Sequence, residues 1–198
     1  MADKRRALVV VDVQPTFCEG GELPVPGGNA VAASIAAYLR EHAGDYALIV
    51  TTQDWHVDPG AHFSTHPDFV DSWPAHGVVG TPGAALHPEL AAAIDPLPHV
   101  TIRKGEHAAA YSGFDGHDPA GRSLADVIAE TGIDLVEICG IAESHCVKST
   151  ALDAVGLGYP TVLLRDLTVP VTEELGRQAR IELAAAGVVL RTSDQRRT

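Results

Sequence analysis

Short β-branched runs alternate along this chain with stretches of helical periodicity, and that alternation limits the fold more than any other feature. Ala7–Val13 (ALVVVDV) reads as a strand buried on both faces, and Asn29–His42 as an alanine-rich helix. Strands follow at Tyr46–Thr52, His99–Arg103, Leu135–Cys139, Thr161–Leu164 and Val188–Leu190, with helices at Ser123–Glu130, Cys146–Leu157 and Thr172–Ala186. Continuous apolar strands separated by helices predict an α/β fold, a parallel sheet covered on both faces. With 198 residues, 45% of them hydrophobic, the chain can bury one sizeable core. No internal repeat or linker divides it, so residues 1–198 read as one domain. The polar tail Ser193–Thr198 reads as frayed.

Composition excludes several classes. A formal charge of -12 would repel phosphate backbones, so nucleic acid is not expected as a partner. Three cysteines, Cys18, Cys139 and Cys146, form neither a disulfide framework nor a C-x-x-C pair. Lys4, Arg5 and Arg6 precede an apolar run as in a secretory signal, but Ala7–Val11 is too short for one and Asp12 interrupts it. No segment approaches the roughly 20 apolar residues of a membrane span. The expected setting is the reducing cytoplasm, with no membrane. No separate protein partner is read from the chain, and a homo-oligomer is left open.

In parallel α/β sheets ligands bind at the carboxyl ends of the strands. Asp12 ends the first strand, Asp54 and His56 follow the second, and Lys104 follows the third. Gly140–Cys146 follows the fourth and leads into a helix, whose N-terminus favours a thiolate at Cys146, with Ser144 as its cap. A carboxylate, a cation and a thiol on one rim can form an activated nucleophile. Each also has an ordinary role, as a salt bridge, a solvated lysine or an inert cysteine, and that ordinary role is assigned to Cys18 and Cys139.

The stretch from Gln53 to Pro88 is too long for a plain connection. Trp55, Phe63, Phe69 and Trp73 within it predict that it folds over something. It carries Asp54, His56, His62 and His76, a set suited to a divalent transition metal such as zinc, manganese or iron. Spacing alone leaves Asp58, His66 and Asp68 as competitors. His42, His87, His99 and His117 read as surface residues.

Five segments in this order resemble the isochorismatase-like cysteine hydrolases, and within them the nicotinamidases (pyrazinamidases). They are ALVVVDVQPTFCEGG (Ala7–Gly21), TTQDWHVDPGAHFS (Thr51–Ser64), DSWPAHGVVGT (Asp71–Thr81), IRKGEHAAAYSGF (Ile102–Phe114) and CGIAESHCVKSTALDA (Cys139–Ala154). The resemblance implies a three-layer α/β/α fold with a six-stranded, mainly parallel sheet. It implies a catalytic triad of Asp12, Lys104 and Cys146, and one divalent metal ion on Asp54, His56, His62 and His76. It further implies a cis peptide between Ile141 and Ala142, with the Ala142 and Cys146 N–H groups as an oxyanion hole. Phe17, Trp73, Tyr111, Ile141 and His145 would bind the substrate, a pyridine carboxamide such as nicotinamide.

The chain departs from the family pattern at Pro15-Thr16, where Asn-Asp is frequent, and at Glu143-Ser144, where many members have Thr-Asp. His107, just after the lysine, matches no expected catalytic position. These departures bear on substrate preference. An isochorismatase works without a nucleophilic cysteine, and N-carbamoyl amidases lack the Asp/His metal set. A catalytically silent ligand-binding protein would show no thiol reactivity at Cys146.

Overall fold

The structure is a computed structural model that describes residues 5–195. Lys4, and the end of the tail beyond Gln195, lie outside the described residues. Six strands form one sheet: β1 (Arg6–Val11), β2 (Leu48–Asp54), β3 (Val100–Lys104), β4 (Leu135–Ile141), β5 (Thr161–Val169) and β6 (Val189–Arg191). Their order is β3-β2-β1-β4-β5-β6 and every pairing is parallel. The chain order reverses direction between β1 and β4, and a doubly wound sheet opens its ligand crevice at such a switch point.

Helices α1 (Gly28–His42) and α2 (Pro88–Ile94) cover one face. Helices α3 (Leu124–Thr131), α4 (Lys148–Gly156) and α5 (Glu173–Ala185) cover the other. The period of two along β1 feeds both cores. Leu8 and Val10 pack with Ile35, Leu39, Leu90 and Ile94, whereas Ala7, Val9 and Val11 pack with Leu124, Ile128, Ala151 and Leu183. That is why the strand reads as an unbroken apolar run.

Several boundaries differ from expectation. β1 stops at Val11 because Asp12 turns into the left-handed region (φ 49°). β2 and β3 extend to Asp54 and Lys104, so both residues close a strand rather than follow it. β4 continues to Ile141 and β5 to Val169. Helix α2 was not expected. Pro88 begins it at a position where a missing N–H costs nothing, and the His87 ring accepts from Glu89 N. Thr172 and Ser123 prove to be the caps of α5 and α3.

Candidate active site

Four neighbouring strands deliver the expected residues to one end of the sheet. Asp12 follows β1, Asp54 and Lys104 close β2 and β3, and Cys146 lies in a π-helical turn (Glu143–Val147) between β4 and α4. Asp54 and Lys104 are direct partners in the β2–β3 register. Gly140, near the end of β4, has φ 125°, and a Cβ there would lie 2.0 Å from Val11 O. Only glycine lets β4 run this close to β1 at the switch point.

Lys104 is fully buried at the centre of this group. Its Nζ donates to Asp54 Oδ1 and to Ala110 O (2.9 Å), lies 2.9 Å from Asp12 Oδ2 and is 3.8 Å from Cys146 Sγ. Asp12 Oδ1 accepts from Thr52 Oγ1 at 2.6 Å, while Oδ2 takes no aligned hydrogen bond among the described residues. Burial opposes the charge on Lys104, but Asp12 and Asp54 outweigh it and hold its pKa well above the usual lysine range. The two carboxylates part company. Burial raises Asp12 despite Lys104; at Asp54 the same burial is overcome by Lys104, which holds it well below the usual range. Burial also pushes the Cys146 thiol well up, against the pull of Lys104. Burial therefore opposes the thiolate that the helix end was expected to favour at Cys146. Ser144 is not a cap either, because the helical path already starts at Glu143.

Beside this group, the ring nitrogens of His56, His62 and His76 lie within 4.8 Å of one another, all three buried. Asp54 Oδ2 is 3.5 Å from Nε2 of both His56 and His76. Nδ1 of His56 donates to Gly105 O (2.5 Å) and Nδ1 of His76 to Pro74 O (2.8 Å). Carbonyls can only accept, so both rings carry Nδ1–H and turn an Nε2 lone pair toward Asp54. His56 Nε2 and His62 Nδ1 are buried without hydrogen-bond partners. Burial, then the neighbouring His76 and His56, lowers His62 to about 4, which keeps it neutral. Unprotonated nitrogens orphaned beside a carboxylate fit a divalent ion. The competitors left open by spacing, Asp58, His66 and Asp68, are exposed. Asp58 and Asp68 close local turns instead.

Both groups meet one cavity with about 560 Å³ of empty space, counting its open mouth. Cys146 and Ala142 line it together with Asp54, His62 and His76. Asp12 and Lys104 are not part of the wall. Phe17, Trp73, Tyr111 and His145 line it as expected. Trp73 Nε1 donates to Tyr111 OH at 2.9 Å and its ring meets His145 edge-on, centroids 5.6 Å apart. Ile141 is a correction: the alternation along β4 sends its side chain, with that of Cys139, into the α1/α2 core, and the wall begins at Ala142. The Ile141–Ala142 peptide is cis. A bridge between Phe63 and Trp73 closes the long loop on itself, and His62, Trp73 and His76 from this loop line the cavity. Of the histidines read as surface residues, His117 is exposed, and His42, His87 and His99 are half-buried.

Sequence reading missed the groups that support these side chains: Thr52 and Ala110, and Gln14, which brackets Asp54. The departures also find their places. Thr16 Oγ1 accepts from Gly77 N, beneath Asp54. Glu143 turns away from the cavity to Arg180 of α5 (2.7 Å), so it adds no charge to the wall. His107 is exposed outside the cavity. Cys18 and Cys139 are buried, and burial raises Cys18 to about 11, as befits inert thiols.

This geometry coincides with a family assignment. Residues 6–195 match the Isochorismatase domain, and the chain belongs to that family. It is 48% identical to the nicotinamidase/pyrazinamidase of Mycobacterium tuberculosis, over 93% of this chain and 97% of the relative. Two solved structures share the fold closely. The pyrazinamidase of Pyrococcus horikoshii in complex with zinc superposes with a TM-score of 0.79 at 36% identity, covering 95% of this chain and 99% of that one. PnC1 of L. infantum in complex with nicotinate gives 0.82 at 35% identity, covering 98% and 96%.

Proposed function

We propose that this protein is a nicotinamidase that hydrolyses nicotinamide to nicotinic acid and ammonia, and accepts pyrazinamide as well. The observation that carries the reading is a buried thiol, 3.8 Å from a lysine, that lines one cavity together with residues of a histidine–carboxylate cluster. The likeness to nicotinamidases and to a nicotinate-bound structure supports the choice of substrate. The chain works as a single domain, and in the cytoplasm; among the described residues no helix is long and apolar enough to cross a membrane.

Asp54, His56, His62 and His76 would hold one zinc, manganese or iron ion, which would supply a Lewis acid to orient the pyridine ring. The chain's own residues carry the covalent chemistry. Asp12 is the more basic carboxylate of the pair, as its raised pKa requires of a proton acceptor. It takes the Cys146 proton and becomes neutral as sulfur attacks the carboxamide carbon, and the Lys104 cation, 3.8 Å from Sγ, offsets the negative charge that develops on sulfur. The Ala142 and Cys146 N–H groups receive the tetrahedral oxyanion; one such donor is worth roughly 2.7–4 kcal/mol. Asp12 passes the proton to nitrogen, the C–N bond breaks and ammonia leaves. A water then gives a proton to Asp12 and its oxygen to the thioester; the acid leaves as the C–S bond breaks, and Asp12 returns the proton to sulfur, restoring thiol and carboxylate.

The test is ammonia release from nicotinamide by purified, reduced protein, before chelation, after it, and after metal is restored. Release that needs the metal is the expected result. No release from metal-loaded protein would remove nicotinamide as the substrate.

A further inference from the structure

The hydroxyl of Ser144, one of the departures from the family pattern, is buried between two partners. Its Oγ accepts from Val171 N at 3.2 Å and lies 2.9 Å from Nδ1 of His145. The serine proton has no other acceptor among the described residues. The arrangement that satisfies all three groups has Ser144 O–H donating to a bare Nδ1, which places the ring proton on Nε2. That nitrogen is on the opposite edge of the ring, makes no hydrogen bond among the described residues, and belongs to a side chain lining the cavity.

We propose that Ser144 is a positioning residue that fixes His145 as the Nε2–H tautomer, so the cavity meets its ligand there with a hydrogen-bond donor. Such a wall favours a ligand that offers an acceptor, a carbonyl or ring nitrogen, and discriminates against one that offers an N–H. A carboxylate at position 144 would do the reverse: it can only accept, so it would hold Nδ1–H and leave a lone pair facing the ligand. The edge-on contact with Trp73 restrains the plane of the ring, and among the described residues it is Ser144 that distinguishes its two nitrogens. The ligand part of this inference rests on the amidase reading above; the tautomer part does not.

The decisive experiment is ¹⁵N NMR of zinc-loaded protein labelled at histidine, with the His145 signals assigned by their loss in His145→Gln. The expected result is an Nε2–H signature in the wild type and in Ser144→Thr, a mixed tautomer in Ser144→Ala, and Nδ1–H in Ser144→Asp. An Nδ1–H wild type, or a Ser144→Ala spectrum identical to it, overturns the proposal. With nicotinamide, Ser144→Ala should raise KM about five- to tenfold with kcat nearly unchanged, and Ser144→Thr should restore it. A fall in kcat at constant KM would refute the ligand-facing role. Should the Nε2–H signature appear in a protein that turns over no nicotinamide, the tautomer assignment is upheld and the substrate reading fails.

Discussion

Gln14 grips Asp54 by its backbone from both sides: Oε1 accepts from Asp54 N at 2.8 Å, and Nε2 donates to Asp54 O at 3.0 Å. The same Nε2 also donates to Ala84 O at 3.0 Å. A primary amide here continues the work of a strand beyond the last residue of β1. It keeps Asp54 rigid, so that one carboxylate can face Lys104 with Oδ1 and the histidines with Oδ2. Rigid support of this kind is what a site needs to hold its geometry.

Cys146→Ala removes the nucleophile and leaves the histidine cluster untouched. Turnover of nicotinamide should fall at least about a thousandfold, while bound metal per chain stays the same. Ammonia assay and elemental analysis of one preparation check both parts, and retained amidase activity would refute the nucleophile assignment.

Gly105→Ala should damage the histidine cluster without altering any side chain in it. Gly105 has φ 79°, and a Cβ there would lie 2.5 Å from His56 Cε1 and 2.8 Å from Nδ1. The His56 ring must shift, and the bond that fixes its tautomer weakens with it. Metal affinity should drop by about 10–100-fold, read by competition with a chelating indicator; unchanged affinity would contradict the cluster's role.

Lys104→Met leaves Asp12 and Asp54 buried without their cation. Breaking a buried ion pair by removing one partner costs about 3–5 kcal/mol, which for a chain of this size lowers Tm by roughly 6–20 °C. Adding Asp12→Asn should recover part of the loss, because the two residues are coupled. Thermal unfolding of the single and double variants measures this coupling, and strict additivity would exclude it.

Burial holds Glu143 above its ordinary 4.5, outweighing the guanidinium of Arg180. With a raised folded pKa, its stabilising contribution is full below the unfolded value and is lost as pH rises through the folded one. Glu143→Gln keeps the shape and never ionises. Wild type should therefore gain stability relative to this variant as pH falls from neutral toward the ordinary value of 4.5. Urea unfolding of both proteins at each pH gives the difference, and a shrinking gap would mean that Arg180 dominates instead.

The strands were legible because β-branched runs such as ALVVVDV admit few other readings, and the rim residues followed from the strand ends. The triad and metal positions came largely from the family resemblance, since spacing alone could not separate His62 and His76 from His66. Burial is what separates them, and burial depends on how the long loop closes. Helix α2 escaped because Pro88 closes a stretch rich in turn residues, although a proline followed by ELAAAI fits a helix start. Thr52, Ala110 and Gln14 gave no signal: they act through a hydroxyl, a carbonyl and an amide that any loop or strand could carry. Glu143 raised a question of rim charge whose answer lies 37 residues away, at Arg180.

Because Asp54 pairs with Lys104 in register, and Asp12 N meets Thr52 O, the chemistry is indexed to the alignment of β1, β2 and β3 rather than to their lengths. Sliding β2 by one residue would bring Gln53 where Asp54 stands and turn the carboxylate to the opposite face. The chain is thus unequally open to remodelling. Added residues at the far end of the sheet, around Gly158 before β5, leave this alignment alone. A single residue inserted within β2 would scramble every contact Asp54 makes, while leaving the strand apolar enough to fold.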